Sequence, residues 1–269
     1  MIPALSCMGS GVCNGKGCGG VVAGRIDFSV LDSAAWAPGL TSPGQWRQWA
    51  LAPWLPAADA VPALAEVPPM QRRRLELLGR MAVQAALWCE GAQAGQPLVF
   101  ASRHGDVERS LRLLETLARD EPMSPTAFGL SVHNAVAALY SIVRGERANY
   151  LALAAGQATV EAACVEAAGL LADGAREVRV VAYEACLPEL FRGLVDEPEC
   201  GFAWCWRLAA AGRGGQSLRL EWGLPGVDPA TACQALPHAL DVHRFLLSSQ
   251  ASLEHADGDG GHWRWSRHA

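Results

Sequence analysis

Residues 148–174 read ANYLALAAGQATVEAACVEAAGLLADG. Tyr150–Ala154 is a short apolar run with strand character, and Ala155-Gly156 is a small-residue turn. An Ala-rich helix then runs over 157–172 and stops at Asp173-Gly174, the usual glycine type of helix end. A strand that hands one polar side chain to a helix start sets it among unpaired N–H groups and the positive end of the helix dipole. The side chain delivered here is Gln157.

The flanking sequence repeats this grammar. Pro97–Ala101 (PLVFA) reads as a buried strand, and Gly105-Asp106 opens a helix over Val107–Ala118. A proline-bearing loop covers 119–132, and a second apolar helix covers Ser131–Gly145. Glu177–Tyr183 (EVRVVAY) is a β-branched strand. Strands alternating with helices predict an α/β fold with a mixed, mostly parallel sheet flanked by helices. Farther on, GFAWCWRL (201–208) and SLRLEW (217–222) alternate with period two across a glycine turn, which predicts an antiparallel pair near the C-terminus. A helix over His238–Ser248 follows, with His238 and His243 read as ordinary polar positions.

Upstream, Arg25–Val30 alternates like a strand, and residues 32–56 are rich in tryptophan and proline. Arg72–Trp88 has apolar residues at helical spacing, with Arg72-Arg73-Arg74 on a solvated face. One domain is expected over 25–250. The polar, glycine-bearing stretch 251–269 is expected to be a loose tail. Residues 1–24 are glycine-rich without periodicity and are expected to be a disordered leader or a mis-annotated start.

The bulk numbers narrow the function classes. The chain is 51% hydrophobic and 18% charged, which is globular rather than disordered. Its net charge of −5 argues against nucleic acid as a partner. No uncharged apolar run reaches the roughly 18 residues of a membrane span. The cysteines number nine, an odd count scattered mostly through apolar stretches, which reads as reduced core thiols in a cytoplasmic protein. Cys7, Cys13 and Cys18 have neither CxxC spacing nor a nearby histidine, so no metal and no cofactor is expected.

The run from Ser124 to Glu184 resembles the N-terminal half of β-ketoacyl synthases of the thiolase-like superfamily. Phe128, Ser131-Val132, Asn134 and Ala137 match a motif that precedes the nucleophile strand in that family, and Gly174-Ala175 matches the turn after the nucleophile helix. Asp27–Leu40 (DFSVLDSAAWAPGL) is similar to the opening of a divergent synthase-like group from aryl polyene and xanthomonadin-type pigment clusters. The resemblance spans residues 25–222 and implies a thiolase-like fold, essentially one half of a ketosynthase.

The resemblance implies a nucleophilic cysteine about seventeen positions before the turn glycine, and that position is Gln157. Cys164 is the less favoured nucleophile, only ten positions before Gly174 and two turns into the helix. An amide does not attack a thioester. The same change is familiar in the chain-length-factor subunits of type II polyketide synthases. The histidine-bearing second half of a synthase also has no counterpart here. The resemblance therefore implies a non-catalytic subunit that heterodimerises with a catalytic ketosynthase, shapes its acyl pocket, and meets acyl carrier protein through the complex. An acyltransferase or decarboxylase, and a purely structural stabilising subunit, stay open as alternatives. Carried over by position, the pocket and interface residues are Arg103, His104, Asp106, Val107, Phe128, His133 and Asn134.

Overall fold

The structure is a computed structural model that describes residues 23–57, 59–91, 95–223, 235–258 and 260–267. The expected leader 1–24 lies outside the described residues, apart from Ala23 and Gly24. The first half of the chain carries β1 (Gly24–Trp36), α1 (Pro43–Leu51), α2 (Pro69–Arg72), α3 (Leu77–Trp88), β2 (Leu98–Ala101), α4 (Val107–Ala118), α5 (Pro125–Gly129), α6 (Ala135–Arg144) and β3 (Tyr150–Leu153). A 3-10 turn at Gly156–Ala158 leads into α7 (Thr159–Ala172), followed by β4 (Val178–Glu184) and a second 3-10 turn, Glu189–Leu194. The chain closes with β5 (Phe202–Ala210), β6 (Gln216–Trp222), α8 (His238–Leu247), β7 (Ser252–Ala256) and β8 (His262–Arg267).

The eight strands form one mixed sheet in the order β3-β2-β4-β5-β1-β6-β8-β7. The α/β class stands, but its balance differs from the expected mostly parallel sheet. Parallel pairing is confined to β3-β2-β4, and every other pairing is antiparallel. The reason is the wide β1, which pairs with both β5 and β6 and so carries the sheet past the parallel unit. A bulge between Val30 and Asp32 bends β1. Gly215 approaches that bulge so closely that a Cβ would stand 2.1 Å from the Val30 carbonyl oxygen, and its φ of +71° suits only glycine.

Alternation along the strands divides the apolar residues between two cores. In β5, Phe202, Trp204, Trp206 and Leu208 face one side, and Ala203 and Cys205 face the other. The first side packs on α1, α7 and α8, with Val160, Ala163, Cys164 and Ala167 supplied by α7. The second packs on α3 and α6, through Met81, Ala82, Val136 and Tyr140. The helix expected over 72–88 begins only at Leu77, as α3, while Arg72 ends the separate α2 and spends its guanidinium on the carbonyls of Ala63 and Leu64. Among the described residues no helix is long and apolar enough to cross a membrane.

Two expectations are overturned. The expected loose tail 251–269 is ordered where it is described: 252–256 and 262–267 form the β7–β8 hairpin, and β8 pairs with β6 along Leu218–Trp222. Trp265 is fully buried and meets Trp206 edge-on, with ring centroids 6.0 Å apart. The turn residues and scattered polar positions hid the alternation, because apart from Leu253 the inward side chains of this hairpin are histidine and tryptophan rather than aliphatic. His238 and His243 are not ordinary polar positions either. Both are buried, and His243 stacks on Trp204 while its Nδ1 accepts the Trp206 indole N–H at 3.1 Å. Burial pushes the His243 pKa down to about 3. Substituting Trp265→Ala is expected to cost about 3–5 kcal/mol in urea unfolding, the range for a buried aromatic; a loose tail would give no change.

Candidate functional site

The C-terminal ends of β2, β3 and β4 lie side by side, and the chain leaving each carries one polar group to a common place. The β2 exit supplies Ser102 and Arg103, the β3 exit supplies Gln157, and β4 ends on Glu184. Gly156 takes φ +55° to turn the chain, and Thr159 braces the turn. The Thr159 hydroxyl donates to the Gly156 carbonyl at 2.7 Å and accepts the Ala155 N–H at 3.0 Å. Gln157 is thereby held half-buried at the start of α7.

The Gln157 amide Nε2 donates to Asp196 Oδ2 at 2.8 Å. Asp196 also receives Arg103 Nη2 at 2.8 Å, and Arg103 Nη1 lies 2.6 Å from Glu197 Oε1. Glu197 Oε2 accepts the backbone N–H of His238 at 2.8 Å. Burial works against the Arg103 charge, but Asp196 and Glu197 outweigh it and raise its pKa. Burial also acts against ionised Asp196, and the bonds from Arg103 and Gln157 bring its pKa below the ordinary value. Burial lifts Glu184 to about 8, despite bonds from the Arg103 N–H and the Ser102 hydroxyl.

Beneath this layer sits Glu161, in the first turn of α7 and completely buried. Its Oε1 is 2.6 Å from His238 Nε2 and accepts the Trp265 indole N–H at 2.8 Å. His238 stacks on His255 with ring centroids 3.4 Å apart, and His255 Nε2 donates to the Gln157 carbonyl at 3.1 Å. Desolvation disfavours both charges of the Glu161–His238 pair, yet their mutual attraction prevails: Glu161 is lowered and His238 raised. Burial, with the neighbouring His238 charge, depresses His255 to about 4. The space among Ala101, Arg103, Gln157, Thr159, Glu197 and His238 is about 10 Å³, room for a single water.

The sequence-derived residues scatter around this centre. Arg103 and Gln157 meet through Asp196. His133 is half-buried, with Nε2 3.2 Å from the Leu153 carbonyl oxygen and its ring against Gly105. Asp106 caps α4, accepting Arg109 N–H at 3.1 Å and Arg109 Nε at 3.0 Å. Asp106 and Val107 line a separate groove of about 670 Å³ with Leu77, Met81 and Leu187. His104, Phe128 and Asn134 are exposed and do not join the network. Cys164 is fully buried in the second turn of α7, where burial and then Glu161 push its thiol well above the ordinary value.

Sequence reasoning missed Asp196, Glu197, Glu161, His238 and His255. One signal was available: Glu161 is a carboxylate four positions after Gln157 in an apolar helix, and such a group must find a partner. Among the described residues no group of three or more His, Cys, Asp or Glu side chains could hold a metal. Cys89, Cys164, Cys200 and Cys205 are buried free thiols and Cys186 is exposed; Cys7, Cys13, Cys18 and Cys233 lie outside the described residues.

The sequence matches the family described as "Beta-ketoacyl synthase, N-terminal domain" over residues 46–266. No curated protein matches it significantly. The fold is similar to a chain of "Ketosynthase (ApeO) in Complex with its Chain Length Factor (ApeC) from Xenorhabdus doucetiae", at 28% identity and TM-score 0.77, covering 90% of this chain and 100% of that one. It is also similar to "The ishigamide ketosynthase/chain length factor", at 12% identity and TM-score 0.69, covering 89% and 98%. A third likeness is to a type II acyl carrier protein–ketosynthase complex, AntDE:AntF, at 13% identity and TM-score 0.53, covering 69% and 64%. The last two show the fold alone.

The buried histidines and carboxylates act on stability in opposite directions as pH changes. The folded pKa of His255 lies below its unfolded value near 6.5, so its contribution is complete above that pH and is lost as pH falls toward about 4. Lowered Glu161 adds a loss in the same direction at still lower pH. Raised His238 acts oppositely: its contribution is complete below about 6.5 and is lost as pH rises through its folded pKa. Glu184, raised to about 8, acts in the same direction as His238, and His243, lowered to about 3, acts with His255. The His255 share is therefore read by difference: between pH 7 and pH 4.5 the unaltered chain is expected to lose about 2–3 kcal/mol more in urea unfolding than His255→Gln.

Proposed function

The chain belongs to the β-ketoacyl synthase N-terminal domain family, and on that premise we propose that it is a non-catalytic, chain-length-factor-like subunit. It pairs with a catalytic ketosynthase in the cytoplasm, shapes that enzyme's acyl pocket, and meets acyl carrier protein through the complex as polyene or fatty acyl chains are extended. The observation that carries this reading is the residue at the strand–helix turn. Gln157 is an amide tied to Asp196 beside a space of about 10 Å³, too small for an acyl-thioester arm. A nucleophilic role for Cys164 is disfavoured by its burial and raised pKa, since the thiolate is the reactive form.

The exposed surface supports a partner. β3 is an edge strand with one neighbour, and its Leu151 is exposed. None of α4 is buried, although the helix is strongly amphipathic, and Leu114 and Leu117 are 57% and 59% exposed. Phe128 beside α4 is 59% exposed and Val132 46%, so the apolar surface continues past α5. Apolar area of this kind marks an interaction site. The likeness to a ketosynthase–chain length factor complex supports a ketosynthase as the class of partner.

Co-expression with the ketosynthase encoded beside this chain tests the reading. Co-purification at equal stoichiometry is expected, and Leu117→Glu with Phe128→Asp is expected to abolish it with little change in melting temperature. Incubation of the isolated chain with radiolabelled malonyl or acyl carrier protein is expected to leave no covalent label. A label lost in Cys164→Ser would establish an acyltransferase instead. Unchanged product length for variants at Arg103 or Asp106, with assembly intact, would establish a purely structural subunit.

A further inference from the structure

A second buried charge lies at the opposite end of the parallel strands from Gln157. Arg179, the second residue of β4, has a side chain only 3% exposed. Its Nη1 donates to the Tyr140 hydroxyl at 2.6 Å, and its Nη2 lies 3.1 Å from Glu146 Oε2. The guanidinium carbon stands 5.4 Å from the Tyr140 ring centroid. Tyr140 in turn donates to Glu90 Oε1 at 2.9 Å, and Arg144 Nε lies 2.7 Å from the same oxygen. The Arg179 Nε has no partner.

Apart from the Ala86 carbonyl of α3, 3.5 Å from Nη1, the groups that Arg179 gathers have one thing in common. Tyr140 belongs to α6, and Glu146 belongs to the five-residue link 145–149 between α6 and β3. Gly145 ends α6 in the left-handed conformation, and the Glu146 N–H and carbonyl are both tied back to Ser141. Beyond that, the Leu98 N–H bonds the Asn149 carbonyl at 3.1 Å, and β3 begins. A four-residue strand with one neighbour has little of its own to fix its register. Arg179 reaches past β2, which pairs Leu98 opposite it, and holds the link from the far side.

We propose that Arg179 is the positioning residue of the β3 edge: by clamping Glu146 and Tyr140 it sets the height and register at which β3 and α6 are presented to a partner. The inference rests on the reading that a ketosynthase docks at this edge. The energetics favour a positioning role over a stabilising one. Desolvating a guanidinium and a carboxylate offsets most of their attraction, so such a pair adds little to global stability while it selects one arrangement. An anchor of this kind acts on the local opening of an edge strand.

The test compares the full chain with the double variant Arg179→Met, Glu146→Gln, which leaves neither charge buried alone, and with Arg179→Lys. Hydrogen exchange at the amides of 151–153 and the dissociation constant for the ketosynthase are measured together. In the double variant, exchange of those amides is expected to quicken by about tenfold or more while β4 and β5 stay protected, and affinity is expected to fall by about tenfold. Arg179→Lys is expected to recover part of both. Unchanged exchange at 151–153 overturns the proposal. Simultaneous loss of protection in every strand also overturns it, because the pair would then hold the whole fold. Should the double variant fail to fold, Glu146→Gln alone, which keeps the Arg179–Tyr140 bond, must show the same selective exchange. Absence of ketosynthase binding by the unaltered chain would sink the pairing reading and leave the exchange result to decide the role of Arg179.

Discussion

A carboxylate with no access to water, Glu161, ties the second half of the molecule together. An apolar helix cannot carry an ionised group into a core unless the rest of the chain brings partners to it. Here α8 brings His238 and β8 brings Trp265, both to the same oxygen. His255 from β7 stacks on His238 and bonds the carbonyl of Gln157. One residue of α7 therefore fixes where α8 and the hairpin sit. Through the His238 N–H and Glu197 it also fixes the loop that holds the Gln157 side chain.

That arrangement closes one end of the sheet and leaves the β3 edge without a second strand neighbour. At the closed end, Arg103, Asp196 and Glu197 satisfy one another and occupy the space around Gln157. At the β3 edge, that strand has one neighbour and α4 lies with its apolar face uncovered. A chemical centre reverses this pattern, needing a reactive group in an accessible pocket. Polar groups that consume one another inward and apolar surface offered outward fit the proposed reading of a subunit whose work is done at its boundary.

Much of the fold was legible in the sequence because its elements follow local rules. Period-two alternation in 201–208 and 217–222, and the run of small residues ended by Gly174, each state their own secondary structure. Gln157 was legible as the residue at the turn for the same reason. The hairpin 252–267 was not, since Asp257-Gly258 and Gly260-Gly261 read as loop and, apart from Leu253, its inward positions are His255, Trp263 and Trp265. Asp106 could be read as a helix opener from Gly105-Asp106, yet nothing local says that its carboxylate is spent on Arg109.

The sequence by itself determined the strand–turn–helix unit, the amide side chain at its apex, and the family. These depend on periodicity, turn chemistry and residue identity, all short-range properties. Only the tertiary structure decided that Glu161 meets His238, 77 positions away, and Trp265, 104 positions away. It also decided that Arg179 reaches Glu146 and Tyr140, 33 and 39 positions away. The physical reason is that a charge or imidazole looks the same in a sequence whether solvated or buried. Its partner is chosen by the packing of the sheet layers and by the cost of leaving a buried polar group unpaired.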